Sequence, residues 1–297
     1  MKPLVSIITV NFRDKQVTTD LLESLRQISY DNIELLLVDN GMLQDETDHF
    51  EAHFPGVKVI NSKENLGFAG GNNLALAQAK GDYVLLLNND TIVPVGFLEP
   101  LVELLESKPA AGIVSPKIYY YDSPTRLQYA GMGTLDFKTG RGHDPAKTQV
   151  DEGQFDQVRE ADFTHGACML IRRAVFEHIG LLTEDYFLYY EELDFCLRTR
   201  EHGWKLYFTP HAHILHRESI SVGKFSPLKT YYMSRNRWLL ISRFAPRRSY
   251  WLFICYYLGI GLPMNILRYA IKGKWEHVKA LWRSTSWNLG LTSVSHW

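Results

Sequence analysis

Four continuous apolar segments occur in the first ninety residues, and segments with helical spacing lie between them. The strand-like segments are residues 5–10, 33–38, 57–60 and 83–87, and the helix-like segments are residues 16–28 and 68–79. A strand without a polar face is buried on both sides, as in a parallel sheet that helices cover. The pattern predicts an α/β fold with a mostly parallel, Rossmann-like sheet flanked by helices.

The second half of the chain has a looser pattern. Short runs separated by glycines over residues 112–166 suggest hairpins, residues 191–202 have helical character, and residues 205–208 resemble a strand. After Phe225 the sequence becomes helical and aromatic over a long stretch. We predict a sheet-based domain over residues 1–222 and a helical C-terminal region over residues 223–297.

Charge is distributed unevenly between these two regions. The net charge of the whole chain is −1, but the residues from 221 onward contain twelve Lys and Arg and a single acid, Glu276. Six of the seven Trp residues lie there too. The overall balance indicates no nucleic-acid partner, whereas a basic, aromatic region is typical of a segment that binds a surface.

Polar side chains follow three of the predicted strands. Asn11 and Arg13 follow the first strand, Asp39 follows the second, and Asn-Asn-Asp at residues 88–90 follows the fourth. Ligands of open α/β sheets bind at the carboxyl ends of the strands, so we expect these side chains to converge on one crevice. Carboxylate and amide oxygens suit Mg²⁺ or Mn²⁺ bound to a diphosphate. The alternative is a polar loop that follows the strand and binds no ligand, which would have the same sequence.

A glycine-rich run at residues 65–73 precedes the second predicted helix. Glycines let a ligand approach the backbone, and a helix N-terminus favours anions. The run has neither the Lys-Ser/Thr of a Walker sequence nor the glycine spacing of a dinucleotide fingerprint. Ligand binding and close helix packing both explain it.

An acidic cluster opens the predicted helix at residues 191–202. Asp194 and Arg198 are four residues apart and should pair on the helix surface, which leaves Glu191 and Glu192 to face the crevice. A carboxylate in a closed site is a suitable general base for an alcohol. An acidic, solvated helix start is the alternative.

Several histidines are candidates for a metal site. Alternating spacing places His211 and His213 on one strand face and His216 on the other. A neutral imidazole from His216 could complete a metal site, and His165 precedes a Gly-Ala pair near the same region. Each could equally be a hydrogen-bonded structural histidine.

Taken in order, these motifs resemble the family 2 glycosyltransferases of the GT-A fold over residues 4–220. The resemblance is specific as a set, and it is nearest to bacterial rhamnosyltransferases of cell-wall and O-antigen polysaccharide synthesis. Galactofuranosyltransferases share much of the pattern. The motifs are Val5-Ser6-Ile7-Ile8-Thr9-Val10-Asn11, Val38-Asp39-Asn40, Asn65-x-Gly67-Phe68-Ala69-x-Gly71-Asn72, Asn88-Asn89-Asp90, His165-Gly166-Ala167 and Tyr190-Glu191-Glu192-Leu193-Asp194-x-x-x-Arg198.

The resemblance implies a role for each matching residue. Asp39 would accept a hydrogen bond from a pyrimidine imide, and Glu192 would be the catalytic base. Asp90 would bind Mg²⁺ or Mn²⁺ with His216 and Asn88, although Asn88 replaces the first carboxylate of the family's Asp-x-Asp motif. The other implied donor-binding residues are Asn11, Arg13, Asn65, Gly67, Asn72, Asn88, Asn89 and His165, and the other catalytic candidates are Glu191 and Asp194.

The implied reaction is a metal-dependent transfer of one sugar with inversion. L-Rhamnose from dTDP-rhamnose, passed to a hydroxyl of a glycan or lipid-linked acceptor, is the leading hypothesis. A galactofuranosyltransferase or another hexosyltransferase that uses a UDP-sugar is the nearest alternative, and an inactive glycan-binding or membrane scaffold is an alternative of another class. A nucleotidyltransferase is disfavoured because no glycine-rich, basic loop follows the first strand.

The C-terminal region allows three interpretations. Residues 249–267 carry no charge, which is near the lower limit for a membrane span, but Pro263 and Asn265 weaken that interpretation. Basic flanks with interleaved Trp favour attachment to an anionic membrane surface, and self-association as a homo-oligomer is the third option. Three cysteines without zinc or disulfide spacing indicate a reducing compartment, so we expect a cytoplasmic protein, peripheral on the inner face of the cell membrane.

Overall fold

The computed structural model describes residues 2–217, 223 and 225–292. In this part of the chain the strands are β1 (Val5–Asn11), β2 (Ile33–Asn40), β3 (Lys58–Ser62), β4 (Tyr83–Leu87), β5 (Thr91–Ile92), β6 (Ala111–Tyr120), β7 (Ser123–Tyr129), β8 (Thr134–Asp136), β9 (Arg141–His143), β10 (Arg159–Glu160), β11 (Cys168–Arg172) and β12 (Lys205–His216).

The α-helices of the described part fall into two sets. Six belong to the sheet-based body: α1 (Lys15–Leu25), α2 (Thr47–His53), α3 (Gly67–Leu76), α4 (Glu99–Ser107), α5 (Arg173–Ile179) and α6 (Glu191–Glu201). Four form the C-terminal region: α7 (Pro227–Phe244), α8 (Arg247–Tyr256), α9 (Leu262–Ile271) and α10 (Trp275–Asn288). A 3₁₀ turn at Glu184–Tyr186 precedes α6, and a π-helical turn at Tyr257–Gly261 joins α8 to α9.

One large sheet forms the centre of the molecule, with the strand order β10-β12-β6-β11-β4-β1-β2-β3. β1 pairs in parallel with β2 and β4, β2 with β3, and β12 with β6, whereas β11 is antiparallel to both of its neighbours. The predicted α/β fold with a large sheet flanked by helices is confirmed. The sheet is mixed, because β12 also pairs antiparallel with β10 and β5, and β6 pairs antiparallel with β7.

The alternation of side chains along β1 explains why helices cover both faces of the sheet. Ile7 is buried in one core with Leu21 and Leu22 of α1, while Ile8 is buried in the opposite core with Ala69 of α3 and Phe195 of α6. Each fully buried aliphatic side chain contributes about 1.5–3 kcal/mol, so a strand that is apolar throughout stabilises both layers.

The observed elements differ from the predicted ones mainly in length. The strand predicted at residues 205–208 continues to His216, because β12 pairs with β6 beyond an irregularity between Thr209 and His213. The helix predicted at residues 16–28 ends at Leu25. It begins after Asp14, whose carboxylate accepts a hydrogen bond from the Val17 backbone N–H at 3.3 Å.

The C-terminal helices pack directly against the body. Arg243 of α7 forms ion pairs with Asp194 of α6, at 3.3 Å, and with Asp185, at 2.6 Å. The predicted boundary between residues 222 and 223 adjoins residues 218–222, which lie outside the described residues.

One helical stretch in the described part, Arg247–Ile271, is long and apolar enough to cross a membrane by length and composition alone. It comprises α8, the π-helical turn and α9, and its mean hydropathy over the most apolar window is 1.4. Only 17% of that window is buried inside the protein. Most of its side chains therefore face outward rather than into a core.

Candidate active site

A cleft of about 650 Å³ opens where the carboxyl ends of β1, β2 and β4 meet the start of α6. Strand ends supply polar groups here because each backbone leaves the sheet at this edge. The polar and charged side chains that line the cleft on this side are Asn40, Asn65, Asn88, Asn89, Asp90, Gln128, His165, Glu191, Glu192 and His216.

Asn40 fixes one end of the cleft by binding the glycine-rich turn. Its side-chain N–H group donates to Asn65 Oδ1 and to the Gly67 carbonyl, both at 3.1 Å, and its Oδ1 accepts from the Leu66 N–H at 2.8 Å. Gly67 has a φ of +68°, and a Cβ there would overlap the Phe187 carbonyl. A residue with a side chain would therefore clash with the segment before α6.

Asp39 lies just behind this wall. Its Oδ1 accepts a hydrogen bond from Asn11 Nδ2 at 2.8 Å, and Asn11 Oδ1 accepts another from the Thr18 hydroxyl at 2.8 Å. Burial raises the pKa of Asp39 above its ordinary value, while the bond from Asn11 opposes that change. Arg13 lies beside this pair and donates from Nε to the Gly41 carbonyl at 3.3 Å.

Asp90 and His216 meet on the opposite side of the cleft. His216 Nε2 lies 3.0 Å from Asp90 Oδ1, and His216 Nδ1 lies 2.7 Å from Gln128 Oε1. Asn88 Nδ2 is 3.5 Å from His216 Nε2, and the other amide atom, Asn88 Oδ1, is buried without a hydrogen-bond partner. β4, β7 and β12 thus bring together residues from three distant parts of the sequence.

These groups fit a hard divalent cation. Gln128 Oε1 can accept a hydrogen bond from His216 Nδ1, an arrangement that would leave the Nε2 lone pair facing the Asp90 carboxylate. Two electron donors 3.0 Å apart require a proton or a cation beside them. No group of three His, Cys, Asp or Glu side chains around one point occurs in the described ranges, so Asn88 and ligand oxygens would have to complete the shell.

His165 stays neutral beside this group. Burial, followed by the neighbouring His216 and Lys147, lowers the pKa of His165 to about 3. Its Nδ1 accepts a hydrogen bond from the Ala167 N–H at 3.1 Å, and its ring packs edge-on to that of His216 with centroids 5.8 Å apart.

Glu191 and Glu192 open α6 inside the cleft. The Oε2 atoms of both side chains are buried and have no hydrogen-bond partner. Burial raises the pKa of both carboxyls, and for Glu191 the charge of Glu192 adds to the effect. A methyl group on Gly166 would lie 3.4 Å from Glu192 Cβ and Cγ, an ordinary van der Waals contact, so Gly166 packs beside the Glu192 side chain. A carboxylate with a raised pKa is a stronger base than an exposed one, which suits it to proton transfer.

Comparison with known proteins identifies the family. A sequence model of the family described as Glycosyl transferase family 2 matches residues 6–180, which is more than half of the chain. The chain belongs to glycosyltransferase family 2.

Three relatives illustrate the range of similarity to this family 2 glycosyltransferase. It is 32% identical over 232 residues to the uncharacterized protein y4gI of Sinorhizobium fredii. The alignment covers 74% of this chain but only 25% of that longer protein. The chain is 24% identical over 243 residues to N-acetylglucosaminyl-diphospho-decaprenol L-rhamnosyltransferase of Mycobacterium tuberculosis, covering 75% of this chain and 79% of that enzyme. It is 26% identical over 226 residues to rhamnosyltransferase WbbL of Escherichia coli, covering 72% and 83%.

Solved structures show the same fold. S. aureus TarS 1-349 in complex with UDP-GlcNAc superposes with a TM-score of 0.61 at 16% identity, covering 98% of this chain and 84% of that one. Mannosyltransferase PcManGT from Pyrobaculum calidifontis in complex with GDP-Man and Mn²⁺ superposes with a TM-score of 0.58 at 15% identity, covering 99% and 77%. The predicted GT-A fold is thereby confirmed.

The cleft of this glycosyltransferase contains most of the predicted site residues, but five lie outside its lining: Asn11, Arg13, Asp39, Asn72 and Asp194. Asn11 and Asp39 are buried behind the wall, and Asn72 is buried with its Nδ2 bound to the Phe68 carbonyl at 2.8 Å. Asp194 points away from the cleft, because its carboxylate binds Arg198, Arg243 and the Thr183 hydroxyl. The predicted pairing of Asp194 with Arg198 is confirmed at 2.8 Å.

Sequence reasoning missed two residues that shape the cleft. Gln128 belongs to no motif, and only its pairing with His216 marks it. Asn236 of α7 places its Nδ2 within 2.9 Å of the carbonyls of Tyr186, Leu188 and Tyr189, and so supports the segment that leads into Glu191. Both act across distances of about fifty to ninety residues in sequence, where local pattern carries no signal.

Proposed function

We propose that this family 2 glycosyltransferase is an inverting enzyme that transfers a sugar from a nucleoside-diphosphate donor to a hydroxyl of a lipid-linked glycan. The observation that carries the proposal is that Glu191 and Glu192 share one cleft with Asp90 and His216. The cleft volume of about 650 Å³ falls in the ordinary range for small-molecule sites, about 300–1,000 Å³.

Glu192 is the general base of the proposed reaction. Its carboxylate would take the proton of the acceptor hydroxyl while that oxygen forms a bond to the anomeric carbon of the donor. The bond from this carbon to the diphosphate oxygen breaks on the opposite face, and its electron pair leaves with the nucleoside diphosphate. A raised pKa makes Glu192 a stronger base than an exposed carboxylate, and exclusion of water protects the proton transfer.

Asp90, His216 and Asn88 would hold Mg²⁺ or Mn²⁺ in this proposal. The bound cation would supply Lewis-acid stabilisation of the negative charge on the departing diphosphate. Support comes from the facing electron donors of Asp90 and His216, from the unpartnered Asn88 Oδ1, and from the Mn²⁺ named with the structurally similar mannosyltransferase. Gln128 contacts His216 Nδ1 and so orients the ring with Nε2 toward Asp90, as a metal ligand at Nε2 would require.

The proposed donor is a pyrimidine nucleotide sugar. Asn40, Asn65 and Gly67 would line its pocket, with Asn89 and His165 nearby and the Asp39–Asn11 pair behind. dTDP-L-rhamnose is our preferred donor, because two relatives of comparable length bear the name rhamnosyltransferase. A UDP-sugar is the competing donor, and a thermal-shift comparison of dTDP-rhamnose with UDP-galactofuranose and UDP-GlcNAc would separate them.

We propose that the enzyme acts at the cytoplasmic surface of the membrane. The α8–α9 stretch exposes large apolar side chains that nothing in the described part covers: Trp251, Leu252, Leu258, Ile260, Met264, Leu267 and Ile271. Arg247, Arg248, Arg268 and Lys272 are exposed in the same stretch or directly after it. Exposed apolar side chains with basic residues near them are typical of a helix that lies in the interface of an anionic bilayer.

Replacement of the proposed base tests the function. In Glu192→Gln we expect turnover to fall about 10²–10⁴-fold, while the affinity for the nucleotide sugar is retained, because the amide cannot take a proton. Glu201→Gln, at the exposed end of the same helix, is the matched control and should keep full activity. Full turnover of Glu192→Gln, measured as nucleotide released and sugar transferred, would contradict the assignment.

A further inference from the structure

A second cavity lies inside the C-terminal region, enclosed by α7, the α8–α9 segment and α10. Its volume is about 260 Å³, and it is separate from the catalytic cleft. Three basic residues line it, Lys229, Arg237 and Lys274, and no Asp or Glu among the described residues does so. Arg237 and Lys274 therefore give the described part of the cavity wall a positive charge, which favours an anion.

Arg237 links this cavity to the catalytic cleft. Its Nε donates to the Tyr190 hydroxyl at 3.3 Å, and its side-chain stem packs against Gly140, which has no side chain. Arg237 forms no ion pair with a carboxylate in the described part of the chain, so its remaining N–H groups are available to a ligand. Tyr190 lines the cleft and immediately precedes Glu191.

Two other residues are shared by the two spaces. Lys229 and Met233 of α7 line the cavity with one side and the catalytic cleft with the other. A ligand held in the cavity would therefore lie beside the cleft on the side of the C-terminal helices. The glycine-rich turn at residues 65–67, where we place the donor, contacts Phe187, and the Phe187 ring stacks on Tyr232 of α7.

The remaining wall of the cavity belongs to the helical stretch that exposes the large apolar side chains. Tyr256, Leu262 and Tyr269 face the cavity, whereas Leu258, Met264 and Leu267 of the same stretch are exposed. The π-helical turn at Tyr257–Gly261 separates the two helices at this wall. An amphiphile with its tail in the membrane could thus place a polar head in the cavity without leaving the interface.

We propose that this cavity binds the diphosphate of a polyprenyl-diphosphate-linked acceptor and directs the attached glycan into the cleft. The inference rests on the proposed function and names the acceptor class for it. A space of about 260 Å³ is smaller than the usual pocket for a whole small molecule, about 300–1,000 Å³, but it suits a diphosphate. Arg237 and Lys274 bind the phosphate oxygens through charge-assisted hydrogen bonds.

Farnesyl diphosphate is the probe for this site, with binding measured by titration calorimetry on the full chain. We expect the wild type to bind it, and Lys274→Gln and Arg237→Gln to bind it about tenfold more weakly or worse, since each loses a charge-assisted hydrogen bond. Lys272→Gln is the matched control, because Lys272 lies two residues from Lys274, is exposed and does not line the cavity. Its affinity should equal that of the wild type.

Three further binding measurements distinguish a polyprenyl diphosphate from a free diphosphate and from a phospholipid. Inorganic diphosphate and farnesol should each bind much more weakly than farnesyl diphosphate, and equal binding of inorganic diphosphate would overturn the inference. Vesicles with phosphatidylglycerol should be bound equally by Lys274→Gln and Lys272→Gln, and a loss confined to Lys274→Gln would instead indicate a phospholipid site.

The inference and the proposed function can fail separately. If the wild type binds nucleotide sugar and transfers its sugar but does not bind farnesyl diphosphate, only the acceptor site is refuted. If no nucleotide sugar is bound or consumed at all, the proposed function itself fails. Lys274→Gln should bind the nucleotide sugar like the wild type, which a general folding defect would not allow.

Discussion

Glu191 and Glu192, at the start of α6, are neighbouring carboxyls for which burial and mutual repulsion both disfavour the charged form. Glu191 is 4% exposed, and its Oε2, like that of Glu192, is buried without a hydrogen-bond partner. Two carboxylates this close cannot both ionise without repulsion, and burial penalises the charge of each. The buried acidic pair therefore destabilises the folded protein at the site where we place proton transfer. Such local destabilisation is common in active sites.

The raised pKa of Glu191 predicts a pH-dependent gain in stability on substitution. The folded protein retains a proton that the unfolded chain releases near the ordinary Glu value of 4.5, so the free energy of unfolding falls as pH rises from there through the raised pKa. Glu191→Gln should melt at a higher temperature than the wild type at pH 8, by about 2–4 °C for each kcal/mol of relief. The gain should vanish below pH 4. Glu201→Gln should show no such pH-dependent gain.

His216 offers a direct test of the metal proposal. His216→Ala should weaken Mn²⁺ binding at least tenfold, measured by the paramagnetic resonance signal of free Mn²⁺, because a nitrogen ligand is lost. Gln128→Leu should weaken it about 10–100-fold, since the ring loses the partner that orients it. His213→Ala is the control, because His213 lies on the same strand but is exposed. Unchanged Mn²⁺ affinity in His216→Ala would remove this residue from the metal site.

At the scale of elements, the segment from Phe187 to Tyr190 depends on α7. Phe187, Tyr189 and Tyr190 all have positive φ, which is unfavourable for residues with a side chain. Arg235 donates to the Tyr186 carbonyl at 2.9 Å, and Asn236 lies close to three carbonyls of the segment. A helix of the C-terminal region thus positions the start of α6 and the acidic pair.

Asn236→Ala should separate this positioning role from simple stability. The change leaves buried carbonyls without donors, so we expect a loss of about 1–3 kcal/mol in the free energy of unfolding. Turnover should fall more than nucleotide-sugar affinity, because the Glu192 side chain loses its fixed position. Asn288→Ala is the control, since Asn288 also donates to backbone carbonyls but on α10, at Arg235 and Ser284. Equal kinetic effects of both variants would argue against positioning.

At the scale of the whole molecule, the acidic body and the basic helical region differ in charge and in exposed apolar surface. The large sheet and its two helical layers build the cleft, whereas the α8–α9 stretch leaves large apolar side chains uncovered in the described part. The cavity beside α7 lies between these two surfaces. This arrangement would let a nucleotide-sugar donor and a membrane-held acceptor reach one site.

Membrane attachment makes a prediction for the intact protein. The triple variant Trp251→Ser, Met264→Ser, Leu267→Ser should bind vesicles containing phosphatidylglycerol much more weakly than the wild type in a sedimentation assay, because burial of apolar area drives insertion. Binding by the wild type should also fall as salt rises. Leu43→Ser, which changes an exposed leucine of the body, is the control. A wild type that ignores these vesicles at low salt would refute the attachment.

The sequence by itself determined the layered α/β fold and most of the cleft. Apolar runs locate strands because burial on both faces leaves no polar position, and the polar residues that follow β1, β2 and β4 must meet at one edge of a parallel sheet. Asp90 could be found in this way, whereas Glu191 and Glu192 were found from the acidic start of a predicted helix in which Asp194 and Arg198 are four residues apart. These inferences need only local periodicity and the direction of the strands.

Only the tertiary structure decided which side chains meet across elements. His216 contacts both Asp90 and Gln128, Asp194 turns from the cleft to Arg243, and Asn236 supports the segment before α6. The cavity between α7, α9 and α10 is likewise a product of packing. The physical reason is that periodicity reports the environment of a residue but not its partner. Partners that are fifty or more residues apart are set by the order of strands in the sheet and by the docking of the C-terminal helices.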